Sequence, residues 1–268
     1  MKKILILSVC LFVCWALPAQ QQRMKVACVG NSITYGTGLA DRATQSYPVQ
    51  LQKLLGEHYE VENFGKPGAT LLNQGHRPYT RQEEYRKALD FAGDIVVIHL
   101  GINDTDPRDW PNYRDSFVTD YLNLMDTFRK VNPDVRIIIA RMTPIADRHN
   151  RFLSGTRDWH GEIQTAIETV ARYAGVQLID FHEPLYPYPS LLPDAVHPTA
   201  EGAAIMAQTV YSAITGDYGG LQLSPLYTDN MVLQRDTPLL IHGTANVGEQ
   251  VTCLLYTSDA ADDMQCVD

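Results

Sequence analysis

Short apolar runs alternate with longer amphipathic stretches between Met24 and Gly216. The short runs predict five β-strands, at residues 25–29, 59–64, 95–100, 135–140 and 176–181. In the longer stretches apolar residues recur every three or four positions, which predicts helices with one apolar face at residues 113–128, 163–174 and 205–214. Strands that alternate with helices are typical of a parallel sheet covered on both faces. We therefore predict an α/β fold over residues 24–216, with a five-stranded parallel sheet between two layers of helices.

The pattern changes after Gly219-Gly220. From residue 221 to 252 no helical period is visible, and turn residues at 228–230 and 247–249 accompany alternating apolar positions at 232–234 and 239–241. This pattern predicts the first strands of a β-rich domain. Because about seven strands are needed to build a β-sandwich of this kind, we predict that residues 221–252 are the start of a truncated second domain.

The two ends of the chain carry signals of their own. Lys2-Lys3, an apolar run over residues 4–17 and the sequence Pro18-Ala19 predict a secretory signal peptide at residues 1–19. The apolar run is shorter than the roughly 20 residues of a membrane span, so we expect no stable span after the signal is removed. The expected location is secreted or periplasmic, with the cell surface as an alternative. Residues 253–268 resemble a translated sequencing adapter and are predicted to be non-native.

Composition narrows the classes of function. The formal net charge is −9 at pH 7, whereas a nucleic-acid-binding protein needs a basic face, so we expect no nucleic-acid partner. The cysteines provide no disulfide framework. Two lie in the N-terminal apolar segment, one in a predicted strand and two near the C-terminus: Cys10, Cys14, Cys28, Cys253 and Cys266.

A serine follows the first predicted strand, in the sequence Gly30-Asn31-Ser32-Ile33-Thr34. Glycine and asparagine allow a tight turn that exposes the serine hydroxyl and turns its N–H into the same space. Taken alone, the position is also that of a helix cap. Ser32 is therefore either a candidate nucleophile or the cap of the next helix.

Candidate hydrogen-bond donors follow the second and third predicted strands. Gly68 lies in a turn after the second strand and could present its backbone N–H to an anion. Asn103 lies in Gly101-Ile102-Asn103-Asp104, where its amide could donate into a cleft. Each segment alone is equally a plain turn, and Asn103-Asp104-Thr105 also matches a glycosylation sequon. These residues gain meaning only as a set.

An aspartate and a histidine lie three residues apart before the last predicted helix, in Asp194-Ala195-Val196-His197-Pro198. This spacing allows the carboxylate to bind one imidazole nitrogen while the other faces a nucleophile. The alternative is an exposed loop histidine. His99 and His182 are interpreted as structural or accidental.

Chemistry at an ester carbonyl requires a nucleophile, a base, a group that orients the base, and donors for the developing oxyanion. The chain offers one candidate for each requirement, and the set resembles the SGNH, or GDSL-like, hydrolases, whose four sequence blocks contribute a serine, a glycine, an asparagine and a histidine. The chain has Gly-Asn-Ser where the family more often has Gly-Asp-Ser. The blocks correspond to residues 30–34, Gly68, residues 101–104 and residues 194–198.

This resemblance implies a flavodoxin-like three-layer fold and an acyl-enzyme mechanism without a metal or other cofactor. Ser32 would attack, His197 would take its proton, and Asp194 would hold the imidazole. The oxyanion would be bound by the backbone N–H groups of Ser32 and Gly68 and by the amide of Asn103.

The tail narrows the expected substrate. Residues 223–235 resemble the opening of a sialate O-acetylesterase domain, and an SGNH domain fused to such a domain is similar to bacterial two-domain carbohydrate esterases. The expectation is a secreted esterase that removes O-acetyl groups from sialate or another sugar, with a small-molecule or glycan ester as its partner. Two alternatives stay open: an SGNH lysophospholipase, thioesterase or arylesterase, and a non-catalytic carbohydrate-binding protein.

Overall fold

The structure is a computed structural model that describes residues 23–149, 157–224, 227, 231, 234 and 237–252. The signal peptide and the non-native tail expected from the sequence lie outside the described residues. So do parts of the segment 223–235 that resembles the acetylesterase domain.

The centre of the fold is a parallel sheet of five strands in the order β2-β1-β3-β4-β5. All five predicted strands are confirmed within one or two residues. The order is that of flavodoxin-like folds, in which ligands bind at the carboxyl ends of the strands. The strands are β1 (Met24–Gly30), β2 (Tyr59–Gly65), β3 (Ile95–His99), β4 (Arg136–Arg141) and β5 (Gln177–Asp180).

Two groups of helices cover the sheet. The described helices are α1 (Ser32–Tyr35), α2 (Arg42–Gln45), α3 (Tyr47–Leu55), α4 (Glu83–Phe91), α5 (Trp110–Tyr113), α6 (Phe117–Val131), α7 (Arg157–Ala174) and α8 (Ala200–Thr215). Helix α3 packs against α8, while α6 packs against α4 and α7. Every residue of β3 is buried, as expected for a central strand with helices on both faces.

Sequence periodicity found three of these helices but misplaced their starts, because α7 begins at Arg157 instead of residue 163 and α8 at Ala200 instead of residue 205. The stretch expected to be helical from Tyr113 is interrupted, because Tyr113 ends α5 and a 3₁₀ turn over Arg114–Ser116 precedes α6. Tyr113 is nonetheless packed against the core, so its apolar character reflects burial in a second short helix. Helices α3 and α4 were not predicted.

The segment after α8 forms little regular structure. Gln222–Leu223 (β6) pairs antiparallel with Gly243–Thr244 (β7), and a turn at residues 247–248 lies where the sequence predicts one. The strand expected at 239–241 is wrong, because these residues lie in neither a strand nor a helix. Leu239, Leu240 and Ile241 are 41%, 84% and 40% exposed, so none of these three apolar side chains is buried. Within the described ranges, no helix is both long and apolar enough to cross a membrane.

Candidate active site

The candidate residues meet at the carboxyl edge of the sheet. Ser32 begins α1 directly after β1, Gly68 follows β2, and Asn103 follows β3. The fourth segment lies between β5 and α8 and carries Asp194 and His197. Because parallel strands end at the same edge, residues that are far apart in the sequence come together here.

Ser32 is the first residue of α1, and its helix cap is Asn31. The Asn31 side-chain oxygen accepts a hydrogen bond from the backbone N–H of Ile33 at 2.9 Å, and its amide donates to the carbonyl of His99 at 3.3 Å. The interpretation of Ser32 as the cap is therefore wrong. Because asparagine both donates and accepts, it fills this buried position in a way that an ionised aspartate could not.

The turn at Ser32 requires a glycine before it. A Cβ atom at Gly30 would lie 2.1 Å from Thr34 Oγ1 and 2.8 Å from the carbonyl oxygen of His99. Only a residue without a side chain allows β1 to approach both β3 and α1 this closely. The Ser32 residue is 7% exposed and lies in the turn that this close approach creates.

Asp194, His197 and Ser32 form a continuous chain of hydrogen bonds. His197 Nε2 lies 2.8 Å from Ser32 Oγ, and His197 Nδ1 lies 2.6 Å from Asp194 Oδ2. With the proton on Nδ1 donated to the carboxylate, Nε2 can accept the serine proton. The geometry can therefore activate Ser32 as a nucleophile.

The Asp194 carboxylate is held in its charged form. Partial burial would raise its pKa, but hydrogen bonds from the backbone N–H and ring of His197 and from the N–H of Val196 outweigh this effect and lower the pKa. The two backbone contacts measure 2.7 and 3.0 Å to Asp194 Oδ1. The carboxylate therefore stays available to stabilise a protonated imidazole.

The histidine loop, residues 192–199, is anchored to the loop after β4. Ala195 has φ of +72°, a left-handed conformation that costs about 1–2 kcal/mol in a residue other than glycine. Its carbonyl accepts from the N–H of Ala146 at 2.8 Å. The Arg148 guanidinium donates to the carbonyls of Leu192 and Pro189. These contacts hold the backbone around the candidate aspartate and histidine.

Hydrogen bonds also connect the candidate oxyanion donors. The N–H of Lys66 donates to the carbonyl of Gly30 at 2.9 Å, and the Asn103 amide donates to the carbonyl of Ala69 at 2.9 Å. Gly68 lies between these two anchors with φ of +78°, where glycine is favoured. Among the hydrogen bonds of the described residues, none uses the backbone N–H of Ser32 or Gly68, which leaves both for an anion.

Asp104 is a positioning residue that the sequence did not single out. It is fully buried, and its two carboxylate oxygens accept from the N–H groups of Leu71 at 2.9 Å and Leu72 at 2.8 Å. Burial raises its pKa to about 7, despite these stabilising hydrogen bonds. Asp104 thus ties the turn that follows Gly68 to the 3₁₀ turn Ile102–Thr105, which contains Asn103.

Three histidines near this edge have structural contacts. Thr143 joins two of them, because its N–H donates to His99 Nε2 at 3.4 Å and its carbonyl contacts His160 Nε2 at 3.1 Å. Burial lowers the pKa of His99 to about 3 and that of His160 to about 4, so both are neutral at pH 7. His182 stacks on Tyr186. These contacts agree with a structural role for His99 and His182.

One group of side chains has the spacing of a metal site. Ligand atoms of His76, Asp106 and Asp109 lie within 4.8 Å of one another. His76 Nδ1 is hydrogen-bonded to Asp109 Oδ2 at 2.6 Å, and Asp106 pairs with Arg108 at 2.9 Å. Each group thus has a protein partner, and the His76–Asp109 pair fastens the segment after Asn103 to the loop after β2.

Similarity to known proteins identifies the class of this site. Residues 28–205 match the GDSL-like Lipase/Acylhydrolase family, and the chain belongs to this family. The name of the family describes lipases and acylhydrolases. The match begins within β1 and ends within α8, so it includes all of the candidate residues.

Individual relatives add detail. The chain is 34% identical over 221 residues to an acetylxylan esterase of Xylanibacter ruminicola, in an alignment that covers 74% of this chain and 45% of that protein. The chain thus spans less than half the length of this relative. In fold it is similar to an acetyl xylan esterase with a TM-score of 0.56, 21% identity and coverage of 71% of this chain and 100% of that one. A putative arylesterase from Agrobacterium tumefaciens is similar with a TM-score of 0.57 and 21% identity, and the match covers 71% of this chain and 98% of that one.

Proposed function

We propose that the protein is a secreted carbohydrate O-acetylesterase that works through an acyl-enzyme on Ser32. The observation that carries the proposal is the pair of contacts made by His197, at 2.8 Å to Ser32 Oγ and 2.6 Å to Asp194 Oδ2. A serine hydroxyl is a weak nucleophile until a base within hydrogen-bond reach takes its proton. The loops around this edge hold the base in that position.

The reaction proceeds in two steps, acylation of Ser32 and hydrolysis of the acetyl-serine. Ser32 Oγ attacks the acetyl carbonyl carbon as its proton moves to His197 Nε2, and the proton then passes to the leaving sugar oxygen as the ester bond breaks. In the second step, His197 takes a proton from water, the hydroxide attacks the acetyl-serine, and acetate leaves as Ser32 regains its proton. Asp194 stabilises the imidazolium in both steps.

The oxyanion formed in each step is bound by three N–H donors. They are the backbone N–H groups of Ser32 and Gly68 and the second N–H of the Asn103 amide, whose first N–H donates to Ala69. Removing one such donor typically costs about 10²–10³ in turnover. This set of donors is supported by the two hydrogen bonds that flank Gly68, from the N–H of Lys66 to Gly30 and from the Asn103 amide to Ala69.

The sugar acetate is proposed on two grounds. The relative in Xylanibacter ruminicola is named an acetylxylan esterase, and residues 223–235 resemble the opening of a sialate O-acetylesterase domain.

Secretion is proposed from the charged, apolar and small-residue order of the N-terminus. Expression of the full chain followed by N-terminal sequencing of exported protein tests it, and protein retained inside the cell with residues 1–19 intact would contradict it.

Hydrolysis of p-nitrophenyl acetate tests the proposed nucleophile and base. We expect Ser32→Ala and His197→Ala each to lose most of the turnover while circular dichroism shows an unchanged fold. The matched control is Ser116→Ala, because Ser116 precedes α6 and makes no side-chain capping bond. Unchanged activity in folded Ser32→Ala would remove the nucleophile assignment.

Acetate release tests the substrate class. Wild-type protein is compared on acetylated xylan, O-acetylated sialic acid and a long-chain lysophospholipid. We expect release from an acetylated sugar to be fastest. A preference for the lysophospholipid would replace the proposed function with that of a lipid acylhydrolase, and binding of sugars without hydrolysis would replace it with a carbohydrate-binding function.

A further inference from the structure

A cleft of about 450 Å³ lies beside the histidine loop at the carboxyl edge of the sheet. One wall is the loop after β4, residues 144–148, and the other is formed by Tyr186, Pro189 and Leu192 in the segment after β5. The two walls are joined by the hydrogen bond from Ala146 to Ala195, the residue next to Asp194. The cleft is therefore continuous with the backbone that carries the candidate catalytic pair. Its volume lies within the range of about 300–1,000 Å³ typical of small-ligand sites.

Tyr186 gives this cleft a rigid aromatic surface. Its ring stacks on His182 with a centroid distance of 5.2 Å and an interplanar angle of 20°. The backbone N–H of Tyr186 also donates to the carbonyl of His182 at 2.9 Å. Tyr186 is nevertheless 58% exposed, so His182 covers one face of the ring and leaves surface on the other. An aromatic ring held in this way loses little conformational entropy when a ligand binds to it.

The other lining groups combine apolar surface with charge. Pro144 and Ile145 are apolar, whereas Arg148 and Asp147 are charged. Arg148 uses its Nη2 group to hold the carbonyls of Pro189 and Leu192. A ligand with apolar C–H faces and a rim of hydroxyl groups matches this lining, because its C–H faces pack on the aromatic ring while its hydroxyls bind the charged groups.

We propose that this cleft is a subsite for a sugar residue that neighbours the acetylated residue in an oligosaccharide. The proposal rests on the proposed function, since it assigns the ligand beside the same catalytic site. The sugar ring stacks on the exposed face of Tyr186 while its acetylated neighbour presents its ester to Ser32. The protein is thereby directed toward acetylated chains rather than toward single acetylated sugars.

Kinetics of Tyr186→Ala test this subsite on two substrates, acetylated xylotetraose and p-nitrophenyl acetate. We expect KM for the oligosaccharide to rise about tenfold, because one aromatic contact with the sugar is lost. KM for the small ester should change less than twofold. Tyr186→Phe should keep most of the affinity because the ring remains. The control is Tyr173→Ala, since Tyr173 is 78% exposed near the end of α7, at the opposite edge of the sheet. Tyr173→Ala should leave KM unchanged for both substrates.

Three results for Tyr186→Ala would overturn the subsite. The first is an unchanged KM for the oligosaccharide, and the second is an equal rise in KM for both substrates. The third is a selective loss of activity on a long-chain p-nitrophenyl ester, which would assign the cleft to an acyl chain. Calorimetric binding of unacetylated xylotetraose to Ser32→Ala separates this proposal from the proposed function. Binding that disappears in Ser32→Ala/Tyr186→Ala supports the subsite even if the wild type releases no acetate. Absence of binding to the Ser32→Ala protein would refute it.

Discussion

His197 Nε2 lies 2.8 Å from Ser32 Oγ, although 165 residues separate the two along the chain. Ser32 is fixed by β1 and α1, whereas His197 directly precedes α8. The contact therefore depends on how α8 packs against α3. Gln50 of α3 reinforces that packing, because its side-chain amide donates to the carbonyl of Ala200 at 2.9 Å. The candidate pair is assembled by tertiary packing rather than by local sequence.

The first prediction concerns Asp194, the carboxylate hydrogen-bonded to the candidate base His197. Asp194→Asn keeps a similar shape but replaces a charged acceptor with an amide, which favours the wrong imidazole tautomer. We expect turnover of p-nitrophenyl acetate to fall by about 10³–10⁴, with little change in KM. Steady-state kinetics at pH 7.5 measures the effect.

The low pKa of Asp194 gives the same variant a stability signature. Because the folded pKa lies below the unfolded value, the wild type gains stability that is fully present above the unfolded pKa and is lost as the pH falls through the folded pKa. Asp194→Asn lacks this increment. Unfolding by denaturant between pH 6 and 2 should show a wild-type advantage that shrinks with acid, and a constant difference would contradict the assignment.

A second prediction concerns the oxyanion donors. Asn103→Ala removes the amide that is oriented by the carbonyl of Ala69. We expect kcat for p-nitrophenyl acetate to fall by about 10²–10³ while KM changes little, because the lost donor acts mainly on the transition state. Asn112→Ala is the control, since Asn112 is exposed and bonds only to nearby carbonyls. Equal effects of the two substitutions would argue against an oxyanion role.

The sequence predicted the strands, and the edge of the sheet where the candidate residues lie, for a physical reason. Buried parallel strands appear as short apolar runs, and polar residues that end such runs must meet at one edge of the sheet. Ser32, Gly68 and Asn103 were found in this way, and the Asp194/His197 pair was found from its three-residue spacing before the last helix. The structure brings all of them to that edge.

What the sequence did not reveal depends on contacts between distant residues. Asp104 binds N–H groups more than 30 positions away, and Arg148 binds carbonyls in another loop. No local pattern signals either contact. The helix expected from Tyr113 failed for a similar reason, since apolar spacing alone does not locate the 3₁₀ turn at Arg114–Ser116.

A third prediction concerns the anchor of the histidine loop. Arg148→Met keeps an unbranched apolar stem but removes the donors to Leu192 and Pro189. A shift of the candidate base by about 1 Å can cost up to 10²-fold, so we expect kcat to fall by about tenfold or more. Arg148→Lys should restore part of the activity. Added guanidinium ion should also raise the kcat of Arg148→Met, and an unchanged kcat in Arg148→Met would show that the loop holds its position without this side chain.

The fourth prediction is a pH dependence of stability that originates at His99. Burial lowers its folded pKa to about 3, whereas the unfolded histidine titrates near its ordinary value of 6.5. Between these values the unfolded chain binds a proton that the folded protein does not, so the free energy of unfolding falls as the pH falls. The contribution approaches about 1.4 kcal/mol per pH unit.

Between pH 6 and 4, His99→Gln should therefore reduce the slope of the free energy of unfolding against pH. The reduction corresponds to at most one proton bound by the unfolded chain. Glutamine can still accept from the N–H of Thr143, although some loss of stability at pH 7 is expected from imperfect packing against Phe181. The control is His58→Gln, because His58 is exposed. Denaturant unfolding at half-unit pH steps measures the slope. Parallel profiles for the wild type and His99→Gln would mean that His99 is protonated in the folded protein, in conflict with its burial at the end of β3, against the loop after β4.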